Sequence, residues 1–92
     1  MEDKILYRIH VKGRIQSVGF RWSAVREARW RGIKGFVKNQ YDGSGYIEAE
    51  GPQEKLLDYL DWCRQGPGSA HVTSVAANPD EVENYNDFTI EF

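Results

Sequence analysis

Cysteine is almost missing from this 92-residue chain. With Cys63 alone, an intrachain disulfide and any zinc cluster built on cysteine are excluded. The two histidines, His10 and His71, stand far apart and outside any metal-ligand spacing, so no metal is expected. Long apolar runs are missing too; none approaches the roughly 20 residues of a membrane-spanning helix. The start, Met1-Glu2-Asp3-Lys4, is acidic and lacks the apolar stretch of a signal peptide, which predicts a cytoplasmic protein. Excess positive charge is absent: the net charge is −2 and the pI about 5.6, a balance that argues against a nucleic-acid partner. There is no internal repeat, low-complexity segment or linker, and the length suits one modest core. Residues 1–92 are therefore expected to form a single domain.

What remains is a regular alternation of elements. Ile5, Tyr7, Ile9 and Val11 alternate with Leu6, Arg8 and His10, predicting a strand with the first set buried. A loop from Gly13 to Gly19 follows, then a helix from Trp22 to Arg31 with Trp22, Val25 and Ala28 at helical spacing and Gly32 as its stop. Ile33 to Gln40 and Tyr46 to Glu50 read as strands joined by the hairpin signal Asp42-Gly43-Ser44-Gly45. Gly51-Pro52 opens a second helix with the stripe Leu56, Leu57, Leu60 and Cys63, ended by Gly66-Pro67-Gly68. His71 to Ala76 is a fourth strand; after an acidic loop from Pro79 to Asp87, the alternation Phe88, Ile90, Phe92 gives a short last one. The tryptophans and tyrosines are expected mostly in the core or on the sheet. The order βαββαβ plus a short terminal strand predicts an α+β, ferredoxin-like split βαβ fold, an antiparallel sheet with two helices on one face.

Chemistry concentrates in two stretches. Gly13-Arg14-Ile15-Gln16-Ser17-Val18-Gly19-Phe20-Arg21 runs from a strand through a glycine-bounded loop into a helix start. Such a loop can aim several backbone N–H groups at one point beside the positive end of a helix. Arg21 adds a planar fork of donors suited to phosphate oxygens. A cation at a helix start opposes the helix dipole, so its presence there points to an anionic partner. The second stretch, Gly35-Phe36-Val37-Lys38-Asn39, places on a strand an amide able to accept from and donate to a water. Alternation turns Lys38 to the opposite face, and Gln16 is expected to shape the loop through its amide. Cys63 reads as a small hydrophobe in its helix stripe.

These stretches resemble the two motifs of the acylphosphatases, small enzymes that hydrolyse acyl phosphates without a metal. The resemblance extends over nearly the whole chain, including Gly43, Gly51, Pro52 and the aromatic last residue. It implies hydrolysis of a carboxylic–phosphoric anhydride, with Arg14, Ile15, Gln16, Ser17, Val18, Gly19, Phe20 and Arg21 forming the phosphate cradle. Arg21 and Asn39 would be the catalytic residues, Asn39 holding the attacking water, with no cofactor. The partners implied are a small acyl phosphate and inorganic phosphate, with neither membrane nor nucleic acid, and the chain is expected to be a monomer. One position departs from the motif: Ser17 stands where the family has glycine. If the loop needs a positive φ there, serine costs about 1 kcal/mol or more, while its hydroxyl is available to a bound phosphate. Two alternatives share parts of the pattern. A non-catalytic phosphate- or acyl-phosphate-binding module would keep the cradle without turnover. An RNA-recognition module shares the βαββαβ order, and Lys34-Gly35-Phe36 matches the start of its sheet motif, but Val37 and Lys38 break the match.

Overall fold

The computed structural model describes residues 3–92; Met1 and Glu2, half of the acidic start, lie outside the described residues. The order is β1 (Lys4–Arg14), α1 (Phe20–Trp30), β2 (Lys34–Asn39), β3 (Gly45–Pro52), α2 (Gln53–Gln65), β4 (His71–Asp80) and β5 (Phe88–Ile90). The sheet runs β4-β1-β3-β2-β5. Its first three pairings are antiparallel, and β5 adds a parallel pair with β2, so the sheet is mixed.

Both helices cover one face. Phe20, Ala24, Val25 and Ala28 of α1 and Leu56, Tyr59, Leu60 and Cys63 of α2 join Ile9, Val11, Val37, Ile47 and Ala49 of the strands in one core. Tyr59 is fully buried and donates its hydroxyl to the Ala24 carbonyl at 2.9 Å, which ties the helices together. Arg31 adds a second tie, bonding Glu27 at 2.8 Å and Asp58 at 2.7 Å.

Helix phase corrects two expected stripes. α1 begins two residues earlier than predicted, so Phe20, Ala24 and Ala28 at i, i+4 and i+8 face the sheet. Trp22 and Trp30, expected inside, are 72% and 80% exposed, and Tyr41 is fully exposed. In α2 the buried row is Leu56, Tyr59, Leu60 and Cys63, whereas Leu57 sits one residue too far round and is half-exposed.

The other face of the sheet is covered at one end by the segment between β4 and β5. Glu50, fully buried on β3, accepts the N–H of Glu83 at 2.8 Å, of Asn84 at 3.2 Å, and of Tyr85. That cover also buries Leu6, the register partner of Glu50 across the sheet, although alternation had assigned Leu6 to the solvent side. β1, β3 and β4 run longer than periodicity alone indicated, most clearly β4, which extends to Asp80, whereas β2 and β5 are shorter, Lys34–Asn39 and Phe88–Ile90.

Candidate active site

The site forms where β1 leaves the sheet. Pairing with β4 shifts register between Lys12 and Gly13, a bulge that bends the strand. Gly13 has φ 138°, and a Cβ there would lie 2.0 Å from the His71 carbonyl oxygen. A side chain would push β4 away, so only glycine lets β1 turn into the loop at this point. The loop is then fastened just beyond the end of β2 by Gln16, whose Nε2 donates to the Gln40 carbonyl at 2.8 Å. Its interior is anchored by Ile15 and Phe20, both buried, with Phe20 stacked on Trp62 at 5.7 Å.

Two residues take left-handed conformations in this loop: Ser17 at φ 65° and Gly19 at φ 78°. Ser17 therefore occupies the conformation that the motif glycine would adopt without strain. Gly19 is the N-cap of α1 and offers no side-chain cap. The first helical bond at this end runs from the Ser23 N–H to the Gly19 carbonyl, which leaves the N–H groups of Phe20, Arg21 and Trp22 as orphan donors of the helix start. The first turn holds no acidic residue. These features together favour an anion.

A small pocket of about 110 Å³ lies here, lined by Ile15, Ser17, Gly19, Phe20, Arg21, Trp22 and Asn39. Loop, helix and β2 thus meet as the motifs required, with Arg21 and Asn39 on one pocket. Among the described residues Arg21 forms no ion pair; its guanidinium carbon rests 5.0 Å from the centre of the Phe92 ring. Asn39 sits at the end of β2, opposite Gly45 of β3. Its Oδ1 is buried and has no hydrogen-bond partner among the described residues, an arrangement that costs on the order of 1–3 kcal/mol unless something donates to it. Gly45 provides room under the loop, since a Cβ there would come within 2.9 Å of Ile15 Cδ1.

The remaining cradle residues divide by what their side chains do. Ile15, Val18 and Phe20 pack inward and Gln16 binds Gln40, so what they can offer an anion is main-chain N–H. Arg14 is exposed at the end of β1, beside His71, and lines neither this pocket nor its neighbour. Lys38 faces the opposite side of the sheet at its amine, 5.7 Å from the Tyr46 ring. His10 is on that same far face, 5.0 Å from the Tyr46 ring. A second, wider pocket of about 610 Å³ adjoins Asn39 and is lined also by Gln16, Lys38, Gln40, Tyr41 and Phe92. Tyr41, Phe92 and Trp22 around these openings were not singled out from sequence, because exposed aromatics look the same there as core ones.

The turn that delivers Asn39 is set by Asp42, whose Oδ1 accepts the Ser44 hydroxyl at 2.5 Å and the Ser44 N–H at 2.9 Å. Those bonds hold the Asp42 carboxyl below its ordinary value. Among the described residues no three His, Cys, Asp or Glu side chains gather into a possible metal site.

Sequence and fold are shared with known relatives. The acylphosphatase family model matches residues 7–90. An acylphosphatase of Thermotoga maritima is 42% identical over 85 residues, covering 92% of this chain and 94% of its own length. One from Archaeoglobus fulgidus is 42% identical over 88 residues, covering 96% and 99%. The crystal structure of Bacillus subtilis acylphosphatase superposes with a TM-score of 0.93 at 36% identity, covering 96% of this chain and 99% of that one. A phosphate-sized pocket at a helix start, carried on a fold and sequence shared this far, leaves one conclusion: the chain belongs to the acylphosphatase family and is an acyl phosphate hydrolase.

Proposed function

We propose that this acyl phosphate hydrolase holds the phosphoryl group of its substrate in the Gly13–Arg21 loop and positions the attacking water with Asn39. The observation that carries this reading is the buried, unpartnered Oδ1 of Asn39 on the wall of the small pocket. A water donating to that oxygen satisfies it and stands beside the phosphorus. The loop and helix-start N–H groups surround the phosphoryl oxygens, and the Arg21 guanidinium balances their charge.

The chemistry balances without a side-chain base. Water oxygen bonds to phosphorus as the phosphorus–acyl oxygen bond breaks, and the electron pair of that bond leaves on the carboxylate. The water proton passes to a phosphoryl oxygen. Asparagine cannot take it, and neither histidine lines the pocket. Catalysis then rests on positioning and on donors already arranged around the developing charge.

The wider setting belongs to the same proposal. Residues 1–92 act as one domain, a cytoplasmic monomer that uses no metal or organic cofactor and binds neither membrane nor nucleic acid. The acidic pI and the single buried cysteine favour this setting, as does a core assembled within one chain.

Hydrolysis of benzoyl phosphate in the presence of a strong chelator tests the reading. Asn39→Ala should lower kcat by about 100-fold with phosphate affinity nearly kept. Arg21→Ala should weaken phosphate binding about 10- to 100-fold, the worth of a charge-assisted contact, and lower kcat as well. Normal turnover by Asn39→Ala removes it from the mechanism, and phosphate binding without turnover by the unmodified chain establishes a binding module instead.

A further inference from the structure

The small pocket borders two other cavities, each through a shared lining residue. It shares Asn39 with the wide pocket on the β2 side, and it shares Trp22 with a groove of about 490 Å³ along α1, lined by Trp22, Val25, Arg26, Arg29 and Trp30. The groove follows from helix phase: Trp22, Arg26 and Trp30 are spaced i, i+4 and i+8 on the face turned away from the sheet. The two indoles stand about 12 Å apart along the axis at 1.5 Å per residue. Leaving two tryptophans 72% and 80% exposed keeps a large apolar area in water.

The arginines between them act as floor rather than as charge. Arg29 is engaged, bonding Asp87 Oδ2 and the Phe88 carbonyl, each at 3.2 Å. Arg26 extends toward Glu27 Oε2 at 3.6 Å. Arg29's head is held by acidic and carbonyl oxygens, and methylene stems such as those of Arg26 and Arg29 can lie along an apolar surface. With Val25 nearly buried at the base, the surface is suited to a chain or ring of carbon.

We infer that this groove receives the acyl group of the substrate, with Trp22 the residue that sets acyl preference, and that the favoured substrates carry a long or aromatic apolar acyl chain. The inference rests on the phosphoryl placement proposed above. In-line displacement puts the entering water and the leaving carboxylate on opposite sides of phosphorus. With the water at Asn39, the carboxylate leaves away from the Asn39 wall, and Trp22 is the pocket residue that leads on into another cavity. The wide pocket beyond Asn39 is then the side from which water enters.

The test compares kcat/KM for acetyl phosphate and octanoyl phosphate in the unmodified chain, Trp22→Ala, Trp22→Phe and Tyr41→Ala. The unmodified chain should prefer octanoyl phosphate by about 10-fold or more, within the discrimination apolar contacts provide. Trp22→Ala should remove most of that preference through a raised KM for octanoyl phosphate, and Trp22→Phe should restore it. Tyr41→Ala should leave the ratio unchanged. A ratio that moves with Tyr41 and not with Trp22, or with neither, overturns the inference. So does a concentration-dependent dimer that Trp22→Ala dissolves while the ratio stays fixed, which would assign the face to a second copy. If Arg21→Ala hydrolyses acetyl phosphate normally, the phosphoryl placement itself is what fails.

Discussion

Replacing Ser17 by glycine should make the protein more stable, although it removes a side chain and adds freedom to the unfolded chain. Ser17 is held at φ 65° on an exposed loop and is not part of the core. A left-handed conformation costs a residue with a Cβ about 1–2 kcal/mol. Glycine removes that strain but loses about 0.5–1 kcal/mol more backbone entropy on folding. The difference favours glycine by about 0.5–1 kcal/mol, which for a domain near this size raises Tm by roughly 2–8 °C. Thermal unfolding followed by circular dichroism reads it directly. Ser17→Ala separates the two properties of serine, since it keeps the Cβ and loses the hydroxyl. Its Tm should stay close to that of the unmodified chain. A fall in phosphate affinity shared by Ser17→Ala and Ser17→Gly would show the hydroxyl donating to the anion. A Tm lowered by Ser17→Gly would refute the reasoning, because the serine would then be contributing more than its backbone strain costs.

Three further outcomes follow from the same structure. Glu50→Gln should lower stability by about 2–4 kcal/mol, because a buried carboxylate that takes three N–H groups is replaced by an amide with one acceptor oxygen; a urea midpoint unchanged from the unmodified chain would show that the segment after β4 is held by other contacts. Burial pushes the Cys63 thiol from 9.0 up to about 12, and burial with the neighbouring Glu48 carboxylate pushes the Tyr46 hydroxyl from 10.0 up to about 12. Both folded values lie above the unfolded ones, so the native chain keeps protons that the unfolded chain releases, and stability should be full below about pH 9 and decline as pH rises toward 12. Urea midpoints at pH 8, 10 and 11 check this, and Cys63→Ala should flatten part of the decline. The rate of benzoyl phosphate hydrolysis should change little between pH 6 and 8, since neither His10 nor His71 lines the pocket; a steep step near pH 6.5 would bring a histidine into the mechanism.

The elements and the two motifs were legible because they are local. Alternation in β1, the hairpin signal at Asp42-Gly43 and the glycine-bounded loop each depend on neighbours a few residues away, and each formed where expected. What escaped was set at long range or by phase. Glu50 looks like a strand residue facing water until a segment more than 30 residues later supplies its three donors. Leu6 is buried for the same reason, on the face that alternation gave it. Trp22 looked like core because it stands three residues before Val25, but Phe20, which the expected helix start left in the loop, is helical and takes the buried place one turn before Ala24. Arg21 and Asn39 were identifiable as types of residue, but that Asn39 would present a buried oxygen without a partner depends on how Gly45, Ile15 and Phe20 pack around it.

The two motifs therefore do different work from what their length suggests. Most of their residues are spent on shape. Gly13 lets paired strands approach closer than any side chain permits, Ile15 and Phe20 anchor the loop in the core, and Gln16 fastens it to Gln40 just beyond β2. Two side chains, Arg21 and Asn39, are left lining the small pocket, Arg21 with no ion pair and Asn39 Oδ1 with no hydrogen-bond partner among the described residues. A reaction that uses water, a phosphoryl group and no side-chain base needs little more than that, provided the donors do not move. In the mechanism proposed above, rigidity at Gly13 and Gln16 matters to the chemistry as much as Arg21 and Asn39 do, and the same frame holds the loop on both sides of the strained Ser17.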